Sequence, residues 1–570
     1  MDIPNIVIWG AGRIGRGFIG DIFYQAGYQL VFIDESESLI KQLLQANKFT
    51  VVRAKTEHQI NRQVITGFKA FSTGQEKEIQ EAVNTCNIVA LAVYPQNFEK
   101  AAQEIAKYIW VRKNEHIESP INIIVCTNLV HAGPIFKSHL YKGLTTEQSK
   151  YFDEKVGIVE SLVIRIAPDP PVEEQGKDPL IVWTNGYPEL PVENAAFKGE
   201  IPKISSLRLV KDMRAEEMRK IYTYNMCHAV LSYHGHMMGY SLLVESLADS
   251  RIRHEAEGAL QEVSEALQKE YGFTQDEMKD WIRGVIEQTD NPTVGDTIQR
   301  SAADPMRKLR REDRLIGPTL LCIKNDTKPN FLIRAISAAF HYHHVDDDAS
   351  VKLQEMIKQK GLSQTIVETC GFLATEKELV QQIEKEYKRV ALEAEWSIKA
   401  LDAYKKGFDY EAKYHGCGQS VIAAVGEVLG IFDDEVFNSA TGLCGGIGLV
   451  NDGGCAALTG GAMCIGLLFP RRRENFDGDR ENKYRTFEII QKLRERFVNE
   501  YQSVICACVH KIKFGKPYDL REKEERDAFE EAGGHSDFGC TQVVGNVAKW
   551  TVELLAAEII SMEMDKTKYG

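Results

Sequence analysis

The sequence contains no apolar run approaching the ~20 residues a membrane-spanning helix requires. GGAMCIGLLF, residues 460–469, is the longest stretch of that kind and falls well short. Basic residues are outnumbered: 69 Lys and Arg stand against 82 Asp and Glu, a net charge of −13. A global basic footprint for nucleic acid or an anionic membrane surface is therefore missing, and neither is expected as a partner. The opening MDIPNIVIWGAGRIG has no basic segment ahead of its apolar run, which stops at Gly10, so no secretory signal is expected. Internal repeats and low-complexity tracts are also absent. What is there is 570 residues, 44 % hydrophobic and 26 % charged, enough for sizeable cores and too long for one ordinary domain. The expectation is a soluble, cytoplasmic, multidomain protein.

The twelve cysteines are unevenly spread. Cys86, Cys126, Cys227, Cys322 and Cys370 are scattered through the first 400 residues, as ordinary core residues are. Cys417, Cys444, Cys455, Cys464, Cys506, Cys508 and Cys540 crowd the last 170. Without a secretory signal, such a cluster points to metal or redox chemistry rather than structural disulfides.

Hydrophobic patterning divides the chain further. NIVIWG reads as a short strand ending in glycine, RIGRGFIGDIFYQAG as an amphipathic helix closed by Gly27, and YQLVFID as the next strand. NIVALAVYP and INIIVCTNL continue the strand pattern with helices between, which predicts a doubly wound parallel sheet. From 211 to about 372 the periodicity is helical, and ELVQQIEKEYKRVALEAEWSIKALDAYKKG leads as a charged helix into the cysteine-rich part. The predicted organisation is α/β plus all-α: a Rossmann-type domain over 1–200, a helical catalytic domain over 201–380 and a helical cysteine-rich domain over 381–570.

Between the first strand and helix stands Gly10-Ala11-Gly12-Arg13-Ile14-Gly15, a G-x-G-x-x-G loop. Its glycines permit a tight turn, close approach of backbone to a pyrophosphate, and packing of helix on strand; the helix N-terminus adds free N–H groups. Asp34 closes the second strand 19 residues after Gly15. Its carboxylate suits the ribose hydroxyls of NAD and repels the 2′-phosphate of NADP, so NAD is the expected cofactor. Val93, following the third strand of the pattern, is expected along the same cofactor.

In MRKIYTYNMCHAV, Lys220, Asn225 and His228 are spaced K-x4-N-x2-H. On a regular helix His228 lies about 80° and Asn225 about 140° around from Lys220, so one wide face holds all three. A desolvated lysine there takes a hydroxyl proton, while an amide and an imidazole hydrogen-bond the oxygen whose charge changes. On spacing alone, a surface lysine, a capping asparagine and a core histidine are the simpler reading. The neighbouring motifs change that balance.

GAGRIGRGFIG, ESPINIIVCTNLV, the K-x4-N-x2-H helix and DPMRKLRREDRLIGP, in that order over roughly residues 3–372, resemble the mannitol-1-phosphate 5-dehydrogenase family of polyol-specific, metal-independent long-chain dehydrogenases. The resemblance implies that Lys220 is the general base, that Asn225 and Asn128 steady the oxyanion, and that His228 orients substrate. It implies NAD-linked interconversion of mannitol 1-phosphate and fructose 6-phosphate, with no metal in the dehydrogenase. Three positions depart from the family: Tyr94 stands where glycine is common, Thr127 replaces an acidic residue, and Ile164 replaces aspartate in the V-D-R-I segment. The two lost carboxylates bear on which sugar is bound more than on reaction type.

Arg300, Arg307, Lys308, Arg310, Arg311 and Arg314 crowd one segment of an otherwise acidic chain. A guanidinium grips phosphate bidentately, so Arg300 and Arg307 are expected on a phosphosugar substrate, although a solvated face with acidic partners accounts for most of the six.

In the last part, YHGCGQSV, GLCGGIGL, GGCAALTGGAMC, SVICACVHK and DFGCTQVV resemble the C-GCAxxG-C-C family, with residues 454–460 carrying its central signature. This implies redox chemistry without a defined reaction. Cys417, Cys455, Cys506, Cys508 and Cys540 are the expected reactive or cluster-ligating thiols, as an iron–sulfur cluster or a redox dithiol, with a redox protein as possible partner. Cys506 and Cys508 point ~200° apart on a straight helix, so a single ion does not take both. Buried structural thiols are the competing reading. For the whole chain, two alternatives stand beside the working dehydrogenase. One is a redox sensor or electron-transfer protein whose first half only binds nucleotide; the other is a reductase of sugar acids.

Overall fold

The computed structural model describes residues 3–56 and 58–566, which divide into two compact units, Met1–Ile383 and Glu384–Gly570. The strands of the first unit are β1 (Asn5–Trp9), β2 (Gln29–Asp34), β3 (Lys48–Thr56), β4 (Gln59–Thr66), β5 (Lys69–Ser72), β6 (Ile88–Leu91), β7 (Ile121–Val125), β8 (Val156–Glu160), β9 (Val182–Thr184), β10 (Leu190–Glu193) and β11 (Leu207–Val210). Six of them make one sheet in the order β5-β2-β1-β6-β7-β8, with every pair parallel. Parallel neighbours need crossover helices, and these cover both faces. That is why β1, β6 and β7 are almost continuously apolar and buried instead of alternating. Separate apolar cores lie on the two sides, around Phe18, Phe32 and Phe49 on one and Phe98, Ile109 and Phe136 on the other. Strand order reverses between β1 and β6, which opens a crevice at their carboxyl ends.

The doubly wound sheet followed by helices is the architecture the patterning predicts. The first helix differs from its amphipathic reading. It opens as a π-helical turn, Gly15–Gly20, buried throughout, and continues into α1 (Asp21–Gln25). A second, three-stranded sheet, β4-β3-β9, covers its outer face. A Cβ on Gly17 would stand 2.3 Å from the Val182 side chain, so glycine is what lets β9 close over this helix.

After β11 the first unit is helical. Asp212 caps α2 (Met213–Lys220) by accepting the Ala215 N–H at 3.0 Å. A π-helical turn, Ile221–Asn225, joins it to α3 (Met226–Met237). α3 is buried along most of its length and packs against α4 (Ser250–Tyr271) and α5 (Asn330–Ala339).

Helix α6 (Lys377–Tyr414) begins in the first unit and ends in the second. The second unit continues with α7 (Cys417–Leu429), α8 (Ala456–Leu468), α9 (Arg480–Tyr501), α10 (Cys506–Phe514), α11 (Lys523–Glu531) and α12 (Cys540–Lys566), around a core that includes Val421, Ile465, Leu493 and Val544. α7 and α8 touch through glycine: a Cβ on Gly460 would lie 2.5 Å from the Gly418 carbonyl oxygen. Gly460, which closes the Gly454–Gly460 segment, is thus a packing residue. Among the described residues no helix is long and apolar enough to cross a membrane.

Candidate functional sites

The glycine loop sits at the carboxyl end of β1, beside the crevice. Gly10 has φ +105°, and a Cβ there would meet the Ala92 carbonyl oxygen at 2.4 Å; at Gly15 it would meet the Gly10 oxygen at 1.9 Å. At Gly12 nothing lies within 4 Å. Two glycines are therefore demanded by the protein's own packing, and the middle one leaves open space for a ligand's phosphates. A cavity of about 200 Å³ lies there, lined by Gly10, Gly12, Asp34, Val93 and Tyr94 among others. Asp34 accepts the Ala11 N–H at 2.7 Å and the Ser36 N–H at 2.8 Å, so its carboxylate also ties the loop to β2. Arg13 pairs with Asp169 at the surface, and Ile14 is half-buried against the core. Tyr94 is exposed at the rim; Ile164 is buried.

Lys220 ends α2 as a buried side chain and donates through Nζ to Asn128 Oδ1 at 2.6 Å. Thr127, adjacent to that asparagine, donates to the Val93 carbonyl at 2.9 Å. The lysine consequently stands at the Val93 end of the cleft. Burial, helped by the Arg314 guanidinium, pulls its ammonium down to about 8. One turn back, Glu217 is buried and accepts the His131 N–H at 3.0 Å; burial and the nearby Glu160 carboxylate push it up to about 7. Glu160 in turn accepts the Gly133 N–H at 2.9 Å. This acidic pair went unnoticed in the sequence. The available signal was Glu217 three residues before Lys220, on the same helical face.

The π turn changes the geometry of the K-x4-N-x2-H helix. The Met226 N–H reaches the Ile221 carbonyl five residues back. Such i→i+5 bonding sets residues five apart nearly in line, so Asn225 lies closer beneath Lys220 than the 140° of a regular helix allows. His228 places Nδ1 3.8 Å from Asp296 and Nε2 3.4 Å from the Thr289 hydroxyl, and burial holds it below the ordinary imidazole value.

The basic segment sorts itself by partner. Arg300 is exposed and donates to Asp296 at 2.9 Å; Arg307 is half-buried and donates to Asp304 at 3.0 Å. Arg314 donates to Asp313 at 2.8 Å. Lys308 differs: it is buried, and among the described residues no carboxylate lies within ion-pair distance of it. Burial and the Arg314 and Arg307 guanidiniums drive its ammonium down to about 7. Buried cations without a paired anion make a place where an anion is favoured.

The second unit holds a cavity of about 230 Å³ whose lining includes Cys417, Cys444, Cys455, Cys506 and Cys540. Cys417, Cys506 and Cys540 are the first residues of α7, α10 and α12, and Cys455 immediately precedes α8. Four helix N-termini thus converge, each presenting a thiol. Cys444, absent from the expected set, is hydrogen-bonded to Cys417; that contact and the surrounding backbone N–H groups draw Cys444 down to about 6 and leave the proton on Cys417. His510 Nε2 stands 3.8 Å from Cys506 Sγ and 3.9 Å from Cys540 Sγ. Cys508 is exposed and outside this lining, so of the expected i, i+2 pair only Cys506 faces the cavity, because alternate helix positions point to opposite sides.

Comparison with known proteins extends these observations. Residues 4–206 match the mannitol dehydrogenase Rossmann domain, 212–391 the mannitol dehydrogenase C-terminal domain, and 415–554 the C-GCAxxG-C-C family, which is described as redox-active. A mannitol-1-phosphate 5-dehydrogenase of Oceanobacillus iheyensis is 34 % identical over 371 residues, covering 65 % of this chain and 94 % of the relative. One of Bacillus subtilis is 33 % identical over 369 residues, covering 65 % and 95 %. Among solved structures, a substrate-free D-sorbitol dehydrogenase aligns with TM-score 0.60 at 14 % identity over 68 % of this chain and 94 % of that one. The mannitol 2-dehydrogenase of Pseudomonas fluorescens, solved with NAD and D-mannitol, aligns with TM-score 0.54 at 15 % identity over 69 % and 93 %. These two likenesses establish the shared fold.

Proposed function

The chain belongs to the mannitol dehydrogenase family, and from that premise we propose that it is an NAD-dependent enzyme interconverting a hexitol phosphate and a ketose phosphate, in the first place mannitol 1-phosphate and fructose 6-phosphate. The observation that carries this reading is the buried Lys220, hydrogen-bonded to Asn128 at the Val93 end of a cleft whose middle glycine faces open space. Gly10, Gly12 and Asp34 would hold NAD in that cleft, and the bound nicotinamide would supply the hydride acceptor. Neutral Lys220 takes the proton from the reacting hydroxyl, and its lowered basicity lets it do so near neutral pH. The Asn128 and Asn225 amides and His228 hold the oxygen as it becomes a carbonyl. With lysine as the base, the step needs no metal ion.

We assign the substrate phosphate to the neighbourhood of Lys308, since Arg300, Arg307 and Arg314 are each already engaged by an aspartate. The test is steady-state kinetics with NAD or NADH against a panel of hexitol phosphates, ketose phosphates, free hexitols and keto-uronates. A kcat/KM for mannitol 1-phosphate at least ~100-fold above that for mannitol, a few charge-assisted hydrogen bonds' worth, is expected. Preference for a free polyol or a keto-uronate overturns the phosphate assignment.

For the second unit we infer a redox module working through the cavity thiols, supported by the convergence of four cysteine-bearing helix starts. Five thiols supply the donors an iron–sulfur cluster takes and also the pair a disulfide takes. Anaerobic purification with iron and sulfide analysis separates the two. Absence of both iron and any thiol titre change on oxidation rejects the redox reading.

A further inference from the structure

At the mouth of the thiol cavity lies a set of side chains that neither the dehydrogenase chemistry nor the thiols employ. His415, Glu530 and His535 bring one ligand atom each to within 4.8 Å of the others, the one such grouping of His, Cys, Asp and Glu among the described residues. The two imidazole rings have centroids 3.9 Å apart. His535 Nδ1 is 2.6 Å from Glu530 Oε1, and its Nε2 is 3.7 Å from Glu411 Oε1. All four residues line the cavity. His415 and Glu530 are exposed, giving an ion access, whereas Glu411 is buried and is fixed by the Ser420 hydroxyl at 3.0 Å.

We propose that His415, His535 and Glu530 bind a divalent first-row transition-metal ion, and that Glu411 is the positioning carboxylate behind His535. Ligand atoms around one such ion lie roughly 3.4 Å apart, given bonds of about 2.0–2.2 Å in tetrahedral geometry, so small side-chain rotations suffice to close the observed set. Two imidazoles and one carboxylate form a donor set suited to Zn²⁺ and to non-haem Fe²⁺, and three protein ligands leave a coordination position open toward the cavity. Binding replaces the direct His535–Glu530 hydrogen bond. Nδ1 turns to the metal, the ring proton moves to Nε2, and Nε2–H donates to Glu411, the carboxylate–histidine–metal arrangement that orients metal-bound imidazoles. No net proton is gained or lost at His535. The chain places the set economically: His415 is two residues before Cys417, and His535 five before Cys540, so the segments that present the thiols also present the imidazoles.

The inference does not depend on the thiol redox reading or on the dehydrogenase reading. Its test uses the full chain, stripped with a chelator and titrated with Co²⁺ followed by Zn²⁺ displacement. One equivalent of Co²⁺ is expected, with weak visible d–d bands and little of the intense near-ultraviolet absorption that thiolate ligation produces. His415→Ala together with His535→Ala is expected to weaken binding by at least ~100-fold, and Glu411→Gln by ~10–100-fold. Should the histidine variants lose their melting transition, Glu530→Gln, a near-isosteric change at an exposed position, is expected to weaken binding at least ~10-fold with melting unchanged. Failure to bind either ion overturns the proposal. So does undiminished binding in Glu530→Gln, or a thiolate-dominated Co²⁺ spectrum abolished by Cys417→Ser. Zinc or iron that co-purifies without sulfide and is lost in Glu530→Gln supports the site, whereas metal retained in that variant overturns it.

Discussion

As the proposed base, Lys220 has two tasks that pull against each other. It must be buried to lose basicity and yet keep one polar contact, and the Asn128 amide oxygen supplies that contact. Because its value is lowered to about 8, the protonated fraction dominates below that pH and the neutral base above it. Polyol oxidation at limiting NAD and substrate is therefore expected to rise about tenfold per unit up to about pH 8 and then level, with ketose reduction level up to about pH 8 and falling about tenfold per unit above it. A pH–rate profile flat from 6 to 9 removes Lys220 from the proton transfer. Lys220→Ala is expected to lower turnover by ~10²–10⁴ while NAD binding, followed by fluorescence quenching, persists. Asp34 carries a similar double duty. Asp34→Gly should weaken NAD both by losing a ribose acceptor and by freeing the Ala11 N–H, and should narrow the preference over NADP; a wild-type enzyme that prefers NADPH contradicts the ribose argument.

Glycines act here through neighbouring elements. Gly12 faces open space, so Gly12→Val should leave melting nearly unchanged and raise the NAD dissociation constant, a pairing of outcomes that calorimetry and thermal melting check together. Gly460 has the opposite character: its missing Cβ is what allows α7 and α8 to meet, and the obstructing atom is a backbone oxygen that cannot swing aside. Gly460→Val should destabilise the second unit by about 1–3 kcal/mol or more, seen as an earlier denaturant midpoint for its transition. The π turn between α2 and α3 belongs to the same class of device. One widened turn re-aims Asn225 relative to Lys220 without altering either residue.

For the molecule as a whole, the division into two compact units sets the clearest expectation. Every residue assigned to the dehydrogenase site lies before residue 320, and the sheet and helices around it have their own cores. A protein ending at residue 391, where the dehydrogenase family match ends, should fold and retain the kcat/KM of the full chain. If it binds NAD but turns over nothing, the second unit is needed for catalysis. EDTA should leave dehydrogenase activity unchanged while removing any ion from the second unit.

The glycine loop, Asp34, the K-x4-N-x2-H helix and the cysteine-rich terminus are all visible in local sequence, because each depends on short-range rules: turn geometry, strand–loop–helix order and helical spacing. So was the alternation of strands and helices that produces the doubly wound sheet. Residues brought together across long separations were not visible. Asn128 meets Lys220 over 92 positions, a pairing that only the family resemblance brought together, and the Glu217 carboxylate is raised by Glu160 from another element. Lys308 looked like five basic neighbours until burial and the pairing of the arginines with aspartates set it apart. Cys444 joined the cavity and Cys508 left it for the same reason: which side of a helix or loop faces inward is decided by what packs against it. His415, Glu530 and His535 share no spacing pattern at all, since they meet only once the starts of α7 and α12 are drawn to one cavity. Spacing along a chain governs chemistry within one turn or one loop; chemistry between elements waits on the packing that places them.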